Sequence, residues 1–268
     1  MNKTLKKMRT LLVLIAMLAP LLSASQQYAR TERGDYNLDG VFGMDDLTEL
    51  INYLLTDTWK DYPRDLVRDT VTVNGVDFVM VKVDGGSYEI EEGVTATVGD
   101  FWIGQTEVTQ KLWMAVMGSN PSYTIAYLQP VTRVSWNDCQ SFISKLNEMT
   151  GKTFRLPRSI EWEFAARGGN HTHGYVYAGS NNPALVAHYS TAGHEAYTSD
   201  VGLLHPNELN LYDMSGNVSE WCQNAWNGDP EYHIVRGGSA PMGANEITVT
   251  WSDHYYNGRA DCGLRLAM

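Results

Sequence analysis

The sequence predicts an α+β domain that is rich in irregular loops. Three segments in the middle of the chain show the spacing and end signals of short helices, and residues 76–83 read as a buried strand. From Asn170 onward the periodicity fades, and Gly, Asn, Ser, Tyr and Trp become frequent. Long irregular loops held on a small scaffold usually carry function or bind metal. We therefore expect the functional surface to lie in the second half of the chain.

The predicted scaffold begins with the apolar sequence VDFVMVKV at residues 76–83, which turns at Gly85. Two further strand candidates, 233–236 and 264–268, are short. The sequence shows no internal repeat in this region. The sheet is therefore predicted to be small.

Each predicted helix has residues that start or stop it. The first covers 108–117 and ends at Gly118. The second begins at Ser135, where a capping box is possible, and ends at Gly151. The third follows Pro157. The second helix should turn four apolar residues inward: Cys139, Phe142, Ile143 and Leu146.

The N-terminus, residues 1–24, is predicted to be a signal peptide. Four cations precede an apolar run at 11–22, and the small residues at 23–25 suit a signal peptidase. A membrane anchor is the alternative, but the run is shorter than the roughly 20 apolar residues that span a bilayer. We expect an exported protein, periplasmic, cell-surface or extracellular, cleaved near residues 24–25.

The charge balance excludes some classes of partner. The 268 residues include 20 Lys and Arg against 31 Asp and Glu, a net charge of −11. Loss of residues 1–24 takes away four positive charges and no acids, which leaves −15. Such a surface repels phosphate backbones, and no stretch interleaves Lys or Arg with aromatic residues. We expect no nucleic-acid partner, no membrane span and a preference for cations.

Residues 34–55 have the spacing of a calcium-binding loop followed by a helix. Asp35, Asn37, Asp39 and Asp46 occupy loop positions 1, 3, 5 and 12, so oxygen ligands alternate along a tight turn. The unit resembles one calcium-binding repeat of a dockerin. That resemblance implies bound calcium and a cohesin-like partner.

An alternative interpretation of the same unit needs no calcium, because Asp46 and Glu49 together suit a helix capping box. Dockerins carry two repeats, and only one is visible here. The polar, proline-containing stretch 56–70 that follows is predicted to be a linker to the main domain, 71–268.

Three separated stretches of the main domain belong together. They are VSWNDCQSF with RLPRSIEWEFAARGG (134–142 and 155–169), LNLYDMSGNVSEWC (209–222), and VRGGS with GLRLAM (235–239 and 263–268). In their order and spacing they resemble the sulfatase-modifying-factor family, whose founding member is the formylglycine-generating enzyme. The resemblance covers residues 76–268 and implies a C-type-lectin-like fold.

The resemblance also implies a calcium site at Asp213, Gly216, Val218 and Glu220. One side-chain oxygen, two main-chain carbonyls and a Glu hold calcium at these positions of the family. A hard cation prefers such oxygen ligands. The alternative is a polar turn whose acidic side chains cap main-chain amides.

The family's oxidase chemistry is expected to be absent. The family's enzyme binds copper(I) between two Cys shortly after the RGGS motif and converts a substrate Cys to formylglycine. The two positions correspond here to Met242 and Ile247, and copper(I) requires soft thiolate ligands. Copper is therefore not expected as a cofactor, and no residue is assigned a catalytic role.

Two functional hypotheses follow. The first is an exported, calcium-stabilised binding or scaffold protein with an unknown protein or glycan ligand. Trp251, Tyr255 and Tyr256 are its candidate ligand surface, with core packing as the alternative. The second is an oxidase of sulfatase maturation, or a related metal-dependent enzyme, that uses a different centre. Fold alone does not decide between them.

The sequence does not decide whether two of the three cysteines form a disulfide. Cys139 and Cys222 lie in core-like motifs and are either a disulfide or two buried thiols, and Cys262 has no obvious partner in the sequence.

Overall fold

A computed structural model describes residues 66–191, 197–256 and 262–268. The chain divides into two compact units, Met1–Tyr62 and Pro63–Met268, and every described residue belongs to the second. The predicted signal peptide and the predicted calcium-loop unit lie outside the described residues.

The described residues combine helices and sheets, which confirms the α+β prediction. The strands are β1 Arg68–Val73, β2 Val76–Val83, β3 Gly86–Glu91, β4 Val94–Val98, β5 Phe101–Gly104, β6 Ser219–Trp226, β7 Asp229–Arg236, β8 Ser252–Tyr256 and β9 Cys262–Gly263. The α-helices are α1 Gln110–Met117, α2 Trp136–Thr150 and α3 Ser159–Ala166. Three short 3₁₀ turns lie at Gly169–His171, Pro183–Leu185 and Ala244–Glu246.

The strands form three small sheets. The first has the order β1-β2-β5 and the second pairs β3 with β4, all antiparallel. The third has the order β8-β7-β6-β9, in which only β6 and β9 run parallel. Strand β2 has the predicted bounds. Strand β1 starts at Arg68, inside the stretch interpreted as a linker, because Val71 and Val73 alternate inward against β2.

Helix α2 begins and ends at the predicted signals, whereas α1 ends before Gly118 as predicted but begins at Gln110, two residues later than predicted. The Thr109 side chain accepts a hydrogen bond from the Leu112 amide at 3.2 Å and caps α1. Ser135 and Asp138 form a capping box at the start of α2. Gly151 ends α2 in the left-handed conformation, with φ 67°, which glycine adopts without a steric cost.

The core is built around α2 and α3. The four predicted inward residues of α2 are buried, and they pack with residues of α1 and the chain terminus. Helix α3 is buried on nearly all sides, and its Trp162 is fully buried among apolar residues of β2, β5 and the 209–214 loop. A helix with so little exposed surface is held by packing rather than by amphipathic spacing.

The third sheet was predicted only in part. The candidate 233–236 falls in β7, but 264–268 is mostly irregular chain that runs beside β5. There the Gly104 amide donates to the Leu266 carbonyl at 2.8 Å. Strand β6 pairs with β7 through register shifts between Trp221 and Trp226, and these interrupt its two-residue period.

No helix within the described ranges is long and apolar enough to cross a membrane. The longest of them, α2, has 15 residues.

Candidate functional site

The turn that precedes β6 brings polar residues into the centre of the domain. Asp213 is 3% exposed and adopts φ 56°, and Glu220 is 0% exposed. Gly216 has φ 79°, and a Cβ atom there would collide with the main-chain oxygen of His188. Glycine is therefore required at this position by both its conformation and its neighbour.

Asp213 has one engaged and one open oxygen. Its Oδ2 accepts a hydrogen bond from the Gly202 amide at 2.7 Å. Its Oδ1 is buried and has no hydrogen-bond partner among the described residues. Because buried polar atoms are nearly always paired, an open carboxylate oxygen is the expected mark of a missing donor or cation.

Glu220 is fully engaged. Its two oxygens accept hydrogen bonds from Arg265 at 2.7–3.0 Å, and Oε2 also accepts one from Trp162 Nε1 at 2.6 Å. Arg265 is itself 0% exposed. The predicted calcium ligand at position 220 is therefore also half of a buried ion pair.

A third buried acid, Glu107, was missed in the sequence. Its Oε2 accepts from Asn217 Nδ2 at 3.0 Å and its Oε1 accepts from the Val218 amide at 3.3 Å. It lies between β5 and α1, far in sequence from the turn that it supports. No local pattern distinguishes it from a surface acid just before a helix, so sequence reasoning had no signal for it.

The buried charges of this site do not balance. Glu107, Asp213 and Glu220 face one guanidinium, that of Arg265. Burial, the neighbouring Asp213 and then Glu220 hold the pKa of Glu107 well above its usual range. Burial raises the pKa of Asp213 to about 6, although the Gly202 amide opposes the shift. The cluster therefore favours an additional cation or bound protons.

The site fits calcium in part. The open oxygen of Asp213 and the tight turn at Gly216 suit a hard cation. Glu220 presents no vacant oxygen, because Arg265 and Trp162 already occupy its carboxylate. Within the described ranges, no group of three or more His, Cys, Asp or Glu side chains is arranged to bind a metal ion. A cation here would need main-chain carbonyl ligands as well.

The two positions that correspond to the family's cysteines lie in an apolar cluster. Ile247 is 0% exposed and packs with Tyr177, Val186 and Ala187, and Met242 packs against the same group. A thioether and a hydrocarbon in this environment offer no thiolate to a copper ion.

The cysteines of the chain lie elsewhere. Cys139, Cys222 and Cys262 are buried, and no disulfide joins them. Burial raises the pKa of Cys222 to about 12 and holds that of Cys139 well above its usual range. Of the two alternatives for Cys139 and Cys222, the structure has buried thiols. Cys139 shares its cluster with Cys262, and Cys222 belongs to a different one.

The three candidate ligand-surface residues differ in exposure. Trp251 and Tyr255 are partly buried against the core, and the ring of Tyr255 meets that of Trp221 edge to face at 6.4 Å. Tyr256 is 56% exposed and lies 5.7 Å from Tyr232 across the β7–β8 pair. The accessible part of the predicted surface is therefore at Tyr256.

Comparison of the sequence with known protein families identifies the family of this chain. The family model described as the sulfatase-modifying factor enzyme 1-like domain matches residues 56–268. The chain belongs to this family, as the three sequence stretches predicted.

The similar proteins have different names. A chaperone protein LppX of Paenibacillus barcinonensis is 34% identical over 70% of this chain and 88% of its own. The formylglycine-generating enzyme of Thermomonospora curvata is 34% identical over 44% of this chain and 40% of its own. The inactive C-alpha-formylglycine-generating enzyme 2 of Bos taurus is 34% identical over 41% of this chain and 38% of its own. The chain thus spans about two fifths of the latter two.

A solved structure has the same fold. Treponema denticola variable protein 1 superposes with a TM-score of 0.66 at 28% identity, over 75% of this chain and 98% of the other.

Proposed function

We propose that the protein is an exported binding or scaffold module that keeps the family fold without the family's oxidase chemistry. The observation that carries the proposal is the apolar packing at Met242 and Ile247. Ile247 is fully buried, so even a remodelled loop would have to replace a core side chain to create a ligand there. The similarity to a protein titled inactive supports the same view.

The partner is proposed to be a protein or a glycan. The similarity to a protein titled chaperone favours a protein ligand, since a chaperone acts on another chain. The exposed Tyr256 and its neighbours on β7 and β8 are the proposed contact surface, and Trp251 and Tyr255 are partly buried against the core.

Calcium is proposed as a structural ion of this module. Asp213 with its open oxygen and the main-chain carbonyls of Gly216 and Val218 would hold it, and Glu220 would join them only by giving up a hydrogen bond from Arg265 or Trp162. The ion would supply the positive charge that Arg265 alone does not provide to the buried acids. Copper has no proposed ligand.

The proposals for the first unit rest on sequence alone. We propose export by residues 1–24 and calcium binding at Asp35, Asn37, Asp39 and Asp46, with a cohesin-like partner. A synthetic 34–55 peptide should gain helicity in millimolar calcium, because an isolated helix of this length is marginal in water. A circular dichroism spectrum of the peptide that does not change on addition of calcium would contradict this proposal.

The test of the main proposal is a peptide-conversion assay. The purified protein, with and without copper(I), is incubated in air with a sulfatase-type peptide that contains one Cys. We expect no formylglycine by mass spectrometry, beside a formylglycine-generating enzyme as the positive control. Aldehyde that depends on metal and persists in Cys262→Ser would establish the alternative, an oxidase with a different centre.

A further inference from the structure

A small pocket opens where the start of α2 meets β7. It is lined by Trp136, Asn137, Pro230, Glu231, His233 and Tyr256, and its volume is about 140 Å³. Sites for whole small molecules usually have about 300–1,000 Å³. This pocket therefore suits one side-chain head group rather than a sugar chain or a cofactor.

The walls of the pocket are held in place by aromatic contacts. The rings of Trp136 and His233 stack with centroids 3.9 Å apart and an angle of 15° between their planes. Trp136 Nε1 donates a hydrogen bond to the Cys222 carbonyl at 3.0 Å, which fixes the indole on the domain. At the other side, Tyr256 is 56% exposed and adjoins Tyr232. Rigid aromatic walls lower the entropy cost of binding.

Glu231 gives the pocket its charge. It is the only carboxylate among the lining residues, it is exposed, and no described residue forms an ion pair with it. Burial lowers the pKa of His233, so the ring beside it is neutral near pH 7. An uncompensated carboxylate beside indole and phenol rings attracts a cation through both charge and the ring faces.

We propose that this pocket binds an arginine side chain of a partner protein. A guanidinium is planar, stacks on aromatic rings and forms two parallel hydrogen bonds to a carboxylate, so its chemistry matches Glu231 and the aromatic walls together. Arginine on an exposed segment of a partner also fits the volume of the pocket. The inference deepens the proposed binding function and rests on it.

The test uses two probes that differ in charge but hardly in shape. Acetyl-arginine methylamide is titrated into the ¹⁵N-labelled protein, and acetyl-citrulline methylamide is the neutral counterpart. We expect saturable shifts of the Trp136 indole N–H and the Tyr256 amide with the arginine probe. The citrulline probe should bind about fivefold more weakly, which is the upper end of an exposed ion-pair contribution.

Two matched variants assign the effect to Glu231. Glu231→Gln should weaken the arginine probe about fivefold, whereas Glu92→Gln removes the same charge from the exposed turn between β3 and β4 and should leave binding unchanged. Unchanged thermal melting of both variants shows that the fold is intact.

Four results would overturn the proposal, and three of them concern the arginine and citrulline probes. These three are equal binding of citrulline and arginine, wild-type affinity in Glu231→Gln, and the absence of saturable shifts at Trp136 and Tyr256. A methyl glucoside that shifts the same resonances more strongly than arginine would also overturn it, in favour of a glycan ligand. None of these outcomes affects the peptide-conversion assay, so the two proposals fail separately.

Discussion

Arg265 and Glu220 form an ion pair at the centre of the domain, with Arg265 Nη2 2.7 Å from Glu220 Oε1. Arg265 also donates to the main-chain carbonyls of Gly104, Gln105 and Tyr212 at 2.8–3.0 Å. One side chain therefore joins the end of β5, the turn before β6 and β6 itself. Such a fully paired buried charge specifies how these segments meet.

Removal of Arg265 should destabilise the domain strongly. Arg265→Met leaves Glu220 buried without its counter-charge, and breaking a buried pair in this way costs about 3–5 kcal/mol. The free energy of unfolding in urea measures the effect. The control is Lys82→Met, which breaks exposed pairs with Asp84 and Asp100 and should cost less than about 1 kcal/mol. Similar losses in the two variants would contradict the assigned role of Arg265.

The three cysteine thiols should be unreactive in the native protein. Cys139, Cys222 and Cys262 are 0% exposed, and burial raises the pKa of the first two, so neither access nor thiolate is available for reaction. A chromogenic disulfide reagent should find almost no thiol in the folded protein. In denaturant without reductant, it should find all three. Fewer than three would indicate a disulfide that the structure does not contain.

Local signals in the sequence were sufficient for α2 and β2. Ser135, Asp138 and Gly151 start and stop α2 through contacts within a few residues of each other, and the run 76–83 is long enough to specify β2 alone. The same reasoning failed for β6 and β8. The register of β6 shifts against β7, so its side chains do not alternate regularly.

The site was predictable only where the family resemblance marked it. Asp213 and Glu220 lie in one motif. Glu107, however, precedes Asp213 by 106 residues, and Arg265 follows Glu220 by 45 residues. Cys139 was considered with Cys222, yet it clusters with Cys262. These contacts depend on how the strands and loops pack, and a single sequence contains no local signal for such packing.

Acid should remove a stabilising contribution of Glu161. Burial alone would raise its pKa, but hydrogen bonds from Arg155 and Arg158 lower it below the usual range. An acid with a lowered folded-state pKa stabilises the fold above its unfolded-state pKa of about 4.3. That contribution is lost as the pH falls through the folded-state value.

The measurement compares unfolding free energies between pH 6 and pH 3. Glu161→Gln should lose less stability than the wild type over this range, because its side chain does not titrate. Arg155→Gln should also lose less, since it removes the guanidinium 2.6 Å from Glu161 Oε2. Parallel pH profiles for all three proteins would show that Glu161 is not the group concerned.

Calcium should stabilise the main domain through Asp213. Binding to the folded state alone adds about 2.7 kcal/mol at a hundredfold excess over Kd. The experiment uses a background with Asp35→Ala and Asp39→Ala, which removes two predicted oxygen ligands of the first unit. In that background, millimolar calcium should raise Tm and a chelator should reverse the rise.

Asp213→Asn is the sharpest probe of this site. Asparagine tolerates the left-handed conformation at φ 56° and keeps an oxygen for the Gly202 amide, but it lacks the negative charge. The variant should lose most of the calcium response while its Tm in chelator stays near that of the parent. Asp84→Asn, an exposed acid on the surface, should respond like the parent. If Tm ignores calcium in the parent as well, residues 213–220 are a polar turn, and the buried acids are balanced by protons instead.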